Sequence, residues 1–253
     1  MERARVEEDD TVLLDESFFI NDDYQLTTFT FGSHVLQLFC LQSASTDFDL
    51  TGQLVWPGAM LLNDYLSKNA DMLRGCSIIE LGSGVGVTGI LCSRFCQEVV
   101  LTDHNEEVLK ILKKNIEFHS SSDKSNCSAA LTAEKLEWGN SDQLDQILQK
   151  HEGGFDIVLG ADIYILFQSS IPLLFDTVEQ LLCVQDEGCC KFLLGYISRA
   201  KVMDAMVISQ ALSHELQVVE VVGSRAVVGN HEGVIYEITR QKKTSGVICS
   251  NMT

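Results

Sequence analysis

Apolar and polar residues change rhythm repeatedly along this chain. Between Thr27 and Gln42 they alternate, with Phe29, Phe31, Val35, Leu36, Leu38 and Phe39 apolar and Gly32-Ser33 in the middle. That pattern predicts a short β-hairpin or two edge strands placed before the main domain. From Ala59 to Leu73 the period lengthens to that of a helix, through Met60, Leu61, Leu62, Tyr65 and Leu66. Pro57 falls just before or at the first turn, where its missing N–H costs nothing. Solid apolar runs then alternate with helical stretches. The runs predict strands over Cys76–Leu81, Glu98–Thr102, Ala129–Trp138, Phe155–Gly160 and Cys190–Tyr196. The stretches between them predict helices over Val87–Cys96, Glu106–Phe118, Leu144–Gln149, Ile171–Cys183 and Ala200–His214. Two last strands, Leu216–Val222 and Val234–Thr239, are joined by Gly229-Asn230-His231-Glu232-Gly233, a link too short for a helix, so they must pair antiparallel. The whole predicts one α/β domain: a Rossmann-like, seven-stranded, mainly parallel sheet with one antiparallel strand, helices on both faces and a short N-terminal β extension. The domain is expected over residues 27–240, with an acidic flexible segment over 1–26 and a polar flexible tail over 241–253.

Composition narrows the partners. Of 253 residues, 36 are acidic and 18 basic, a net charge of -18. Such a chain is a poor generic binder of nucleic acid, whose phosphates need clustered Lys and Arg; it suits a basic protein segment instead. With neither an apolar run of membrane-spanning length nor a signal-like start, the chain reads as soluble, without a membrane, and a monomer in the cytoplasm is expected, with nothing in the sequence that forbids a nuclear presence. The nine cysteines include no Cys-x-x-Cys pair; Cys92 and Cys96 lie one helical turn apart, but no His or Cys cluster completes a zinc site, so no metal is expected. Reduced, mostly buried thiols follow.

The chemistry concentrates where the first core strand ends. Ile78-Ile79-Glu80-Leu81 runs into Gly82-Ser83-Gly84-Val85-Gly86-Val87-Thr88-Gly89, and about twenty residues later a second strand ends in Asp103. Glycines let the backbone turn sharply and approach a ligand with no Cβ in the way. An acid at the end of the second strand can accept hydrogen bonds from two ribose hydroxyls. Two readings compete: Gly84, Gly86 and Gly89 fit the dinucleotide spacing, whereas Glu80 followed by Gly82, Gly84 and Gly86 fits the loop of methyltransferases that use S-adenosylmethionine. The antiparallel pair at the C-terminus and a fourth strand ending in Asp162 favour the second.

Five motifs in order extend that reading: Thr51-Gly52-Gln53-Leu54-Val55-Trp56-Pro57, Glu80 to Gly86, Leu101-Thr102-Asp103, Leu136-Glu137-Trp138-Gly139, and Phe155-Asp156-Ile157-Val158-Leu159-Gly160-Ala161-Asp162. From Phe29 to Arg240 the chain resembles the family 16 seven-β-strand methyltransferases, most of which methylate lysines of non-histone proteins. The resemblance implies S-adenosylmethionine as cofactor and a protein substrate. It places Gly82, Ser83 and Gly84 against the methionine end, Glu80 at the amino group, Asp103 at the ribose, Trp56 and Trp138 as pocket walls with Trp138 near the adenine, and the small Ala161 beside the cofactor. Asp162 is the candidate to orient or accept hydrogen bonds from the amine, and Tyr164 to wall the amine channel. The chain departs from the family here. Its members carry an acid, two residues and an aromatic; this chain reads Asp162-Ile163-Tyr164-Ile165, with the aromatic one position early. A small-molecule or histidine-directed methyltransferase and a non-catalytic cofactor-binding module are the alternatives. His104 and His231, each beside a turn, read as surface or capping residues.

Overall fold

A computed structural model describes residues 24–43, 48–122, 129–151, 153–163, 170–184 and 190–241. The segments expected to be flexible lie almost wholly outside these residues, as does Tyr164. The chain enters the fold through an antiparallel hairpin, β1 (Gln25–Phe31) and β2 (His34–Cys40), turned at Gly32. A 3-10 turn over Phe48–Gln53 leads to α1 (Pro57–Lys68), with Pro57 at its first position. There follow β3 (Ser77–Leu81), α2 (Val87–Cys92), β4 (Glu98–Asp103), α3 (Glu106–Ser122), β5 (Ala130–Lys135), α4 (Ser141–Lys150), β6 (Ile157–Ala161), α5 (Ser170–Cys183), β7 (Lys191–Ile197), α6 (Lys201–Ser213), β8 (Leu216–Glu220), β9 (Ala226–Val228) and β10 (His231–Arg240).

The main sheet has the order β5-β4-β3-β6-β7-β10-β8, with β9 paired to β10. β3 runs parallel to β4 and β6, β4 to β5, and β6 to β7, while β10 lies antiparallel to β7, β8 and β9. This matches the expected sheet with its one reversed strand. The central strands are apolar on both faces because both are covered. Period 2 sends Ile79, Val100, Val158 and Phe192 to one face, where they meet Leu144, Phe175, Val178, Leu181 and Val207 of α4, α5 and α6. Their neighbours Ile78, Val99, Ile157 and Leu193 go to the other, against Leu62, Leu66, Leu109 and Leu112 of α1 and α3.

Several bounds differ from those read in the sequence, each for a local reason. α2 stops at Cys92, four residues early: the Ser93 hydroxyl donates back to the Ile90 carbonyl (2.8 Å), and the Ser93 carbonyl accepts from Ala129 N–H instead of a further helical turn. α3 continues beyond Phe118 to Ser122, with Ser120 and Ser121 hydroxyls donating to the carbonyls one turn earlier. β1 opens at Gln25, so two residues assigned to the acidic segment belong to the hairpin. The last link, expected as a plain connection, contains β9, which pairs with the start of β10 across a turn at Gly229-Asn230.

Candidate active site

The site lies at the carboxyl ends of β3, β4 and β6, where open α/β sheets bind ligands. Beyond Leu81 the chain bends through Gly82, Gly84 and Gly86, at φ of 63°, 54° and 87°. At Gly84 the need is double: φ is left-handed, and a Cβ would stand 2.6 Å from the Gly52 carbonyl oxygen. The loop is fastened to β4. Ser83 N–H donates to the Thr102 carbonyl (2.8 Å), Thr102 N–H donates to Ser83 Oγ (3.0 Å), and both hydroxyls donate to the Glu80 carbonyl. Ser83 therefore spends its hydroxyl on holding the loop, a use its sequence position did not reveal.

Two buried carboxylates face this loop. Asp103 Oδ2 accepts from Gly84 N–H (3.1 Å) and Oδ1 from Asn105 N–H (3.1 Å), so each oxygen keeps acceptor capacity toward the cleft. Burial pushes the Asp103 carboxyl above its ordinary range, against the pull of these N–H groups and His104. Glu80 Oε2 accepts from Gly89 N–H (3.0 Å); burial raises this carboxyl to about 7, with the Gly89 N–H opposing. Both line one cleft with Gly82, Ser83, Gly84, Trp56, Trp138, Ala161 and Asp162. Every cofactor-site residue named from the sequence thus borders a single cavity, together with the first catalytic candidate. Tyr164, the second, lies outside the described residues.

The two tryptophans form walls. Trp56 caps the start of α1 and its Nε1 donates to the Thr51 carbonyl (2.9 Å), which fixes the indole. Trp138 follows β5, with Cζ2 3.4 Å from where a Gly82 Cβ would stand, and packs on the α4–α5 core. Leu173 of α5 and Ile163 extend the apolar lining. Of the two histidines, His104 borders the cleft 3.5 Å from Asp103, whereas His231 is exposed at the start of β10.

Asp162 sits at φ 49°, an unusual conformation for a residue with a side chain. Its N–H donates to the Gly195 carbonyl, its Oδ2 accepts from Gly58 N–H (2.9 Å), and Arg199 grips both oxygens, Nη1 on Oδ1 and Nη2 on Oδ2 (2.8 Å). Gly58 is required here by contact: a Cβ would lie 2.5 Å from the Asp162 Cβ. The Arg199 guanidinium also lies over the Trp56 ring, 5.4 Å from its centroid. Sequence reading missed Gly58 and Arg199. The signal available was that an acid at a buried strand end needs a compensating cation, but nothing in the pattern says which of 18 basic residues supplies it.

The donor set fits S-adenosylmethionine: carboxylates for an amino group and a ribose, a glycine loop that no Cβ crowds, and a flat apolar wall for a purine. Fold and cleft together define a Rossmann-like methyltransferase. A family model described as lysine methyltransferase matches residues 39–211, more than half of the chain, and the chain belongs to that family. Among curated relatives it is 32% identical over 151 residues to protein N-lysine methyltransferase METTL21A of Mus musculus, covering 59% of this chain and 62% of that one. It is 36% identical over 127 residues to EEF1A lysine methyltransferase 3 of Xenopus tropicalis, covering 50% and 51%. The chain thus spans less than two thirds of the length of either relative. A TehB-like methyltransferase from Corynebacterium glutamicum shares the fold, with TM-score 0.51 and 16% identity over 75% of this chain and 90% of that one.

Proposed function

We propose that the protein transfers a methyl group from S-adenosylmethionine to lysine side chains of a non-histone protein, and that it does so in the cytoplasm as a monomer. The observation that carries this reading is the continuity of one cleft from Asp103 and the glycine loop to Asp162, in a chain of the lysine methyltransferase family. The bound cofactor supplies a methyl group already activated on a sulfonium. The protein has to bind, orient and exclude water. Asp103 holds the ribose hydroxyls, Glu80 the amino group, Trp56 and Trp138 the walls, and Ala161 leaves room where β6 ends. Asp162 orients the acceptor nitrogen, and Tyr164, two positions further along the sequence, is the candidate wall of the amine channel. The net charge of -18 supports a target that presents a basic segment. Free thiols at Cys40, Cys76, Cys92, Cys96 and Cys183 suit a reducing compartment.

Incubation with radiolabelled S-adenosylmethionine and a cell extract, read on a gel beside Asp103→Ala, tests the reading. A discrete labelled band that disappears in the variant is expected. Absence of any band, with cofactor binding intact by calorimetry, would overturn the protein-substrate assignment in favour of a small-molecule acceptor or a binding role.

A further inference from the structure

The acid at the end of β6 is not available as an isolated negative charge. Asp162 Oδ2 already accepts from Gly58 N–H and Arg199 Nη2, which fills its two lone pairs, and Oδ1 accepts from Arg199 Nη1, which leaves one. The Asp162 side chain is 2% exposed and that of Arg199 24%. The guanidinium is delocalised, always charged and bound in the bidentate fork geometry, so the pair is electrically neutral as a unit. Arg199 is itself held in place. It follows Ser198, whose hydroxyl donates to Asp204 Oδ2 (2.7 Å), while Tyr196 Oη donates to Asp204 Oδ1 (2.7 Å); the Ser198 N–H donates to the Glu232 carbonyl. Its other face lies over Trp56, on the cleft wall.

We infer that Arg199 is a positioning residue that sets the charge of the acceptor end: by neutralising Asp162 and leaving it one lone pair, it makes this end of the cleft receive a neutral amine through a single N–H···Oδ1 bond rather than hold an ammonium ion. This rests on the methyltransferase reading above and deepens it. A neutral amine is the form that reacts. Its lone pair makes the new N–C bond while the S–C pair withdraws onto sulfur, and the extra proton on the resulting ammonium leaves to solvent. A bare buried carboxylate would instead stabilise the unreactive cation in the ground state. Arg199 thus selects the protonation state of the acceptor, acting through Asp162 and not on the substrate.

The test compares two ligands of one skeleton by calorimetry: sinefungin, which carries a primary amine where the cofactor carries its methyl sulfonium, and S-adenosylhomocysteine, which carries a neutral thioether. The ratio of their affinities reports the charge preference of the acceptor end and is blind to general loosening, which weakens both alike. Wild type is expected to favour the amine little. Arg199→Gln should raise the sinefungin preference on the order of tenfold, the scale of one opposite charge at several ångströms. Arg199→Lys should stay near wild type, and Asp162→Asn, which removes the carboxylate charge beside the guanidinium, should shift the ratio the other way. Opposite shifts in these two variants cannot come from misfolding, and should Arg199→Gln fail to fold, the wild-type ratio decides: a strong preference for sinefungin in wild type would mean that Asp162 acts as a bare charge and would overturn the role of Arg199. A ratio unmoved by the variants that fold, with wild type binding both ligands, overturns the role of Arg199 and leaves the methyltransferase reading standing. If wild type binds neither ligand, the cofactor reading fails first and this inference falls with it.

Discussion

At the scale of single residues, the site is a set of buried acids, each held by backbone N–H groups. Asp103 is the one whose loss should be felt as cofactor affinity, because its oxygens keep lone pairs toward the cleft while Gly84 and Asn105 N–H groups fix their direction. Asp103→Ala is expected to weaken S-adenosylmethionine binding by at least about tenfold, the scale of losing charge-assisted hydrogen bonds, in calorimetry. Glu80 makes a prediction about pH. Its carboxyl is raised from 4.5 to about 7 by burial. The folded state therefore keeps a proton that the unfolded state has lost between those two values, and the ligand-free protein loses stability as pH rises across that window, on the order of 3 kcal/mol. Glu80→Gln removes the linkage. Its melting temperature relative to wild type should climb between pH 5 and pH 8 without ligand, and change little below pH 4.5. A flat difference across that range would show that burial does not set this titration. The cofactor's amino group, a cation, is expected to reverse the penalty by pairing with the ionised form.

At the scale of elements, the glycine loop is held from outside as well as from β4. Asn115 of α3 is fully buried; its Oδ1 accepts from Phe39 N–H (2.8 Å), and its Nδ2 donates to the carbonyls of Phe39 (3.0 Å) and Val85 (2.9 Å). One side chain thereby joins β2, α3 and the loop. Asn115→Leu keeps the branched side-chain skeleton but takes the partners from one buried backbone group, the Val85 carbonyl, and two half-buried ones on Phe39, and should cost about 2–4 kcal/mol. Hydrogen exchange should localise the loss to the β1–β2 hairpin and residues 83–86, while β6 and β7 keep their protection. Uniform loss would mean that the hairpin folds with the main sheet as one unit. This connection was not legible in the sequence, where Asn115 reads as one polar position of an amphipathic helix. The elements themselves were legible wherever an apolar rhythm spans a whole strand or helix, as from Ile78 to Asp103. They were misread at ends, where single side chains decide. The Ser93 hydroxyl and carbonyl stop α2, and a three-residue pairing at Ala226–Val228 carries too little pattern to show.

At the scale of the whole molecule, the glycine loop alone could not choose between two cofactor families, because the glycines of both spacings are structurally required. Gly84 lies against Gly52, and Gly89 packs α2 onto β4, where a Cβ would meet Leu101. The reversed strand β10 between β7 and β8 breaks the tie, and its short link from β8 was visible in the sequence. The residues around Asp162 were less legible, since the Gly58, Asp162 and Arg199 contacts join segments about 100 and 37 positions apart. The remaining global property is charge. With a net charge of -18 the molecule repels its own kind and draws basic segments over a range set by screening. If the acceptor lysine sits in such a segment, the field acts on encounter and ground-state docking, not on the methyl transfer itself. Raising salt from about 50 to about 300 mM, which shortens the Debye length from roughly 14 to roughly 6 Å, should then raise KM for a methylated protein several-fold and leave kcat nearly unchanged. A free lysine acceptor, lacking the neighbouring charges, should show little of the KM effect. A salt response confined to kcat, with KM unmoved, would overturn the surface-field account of substrate encounter.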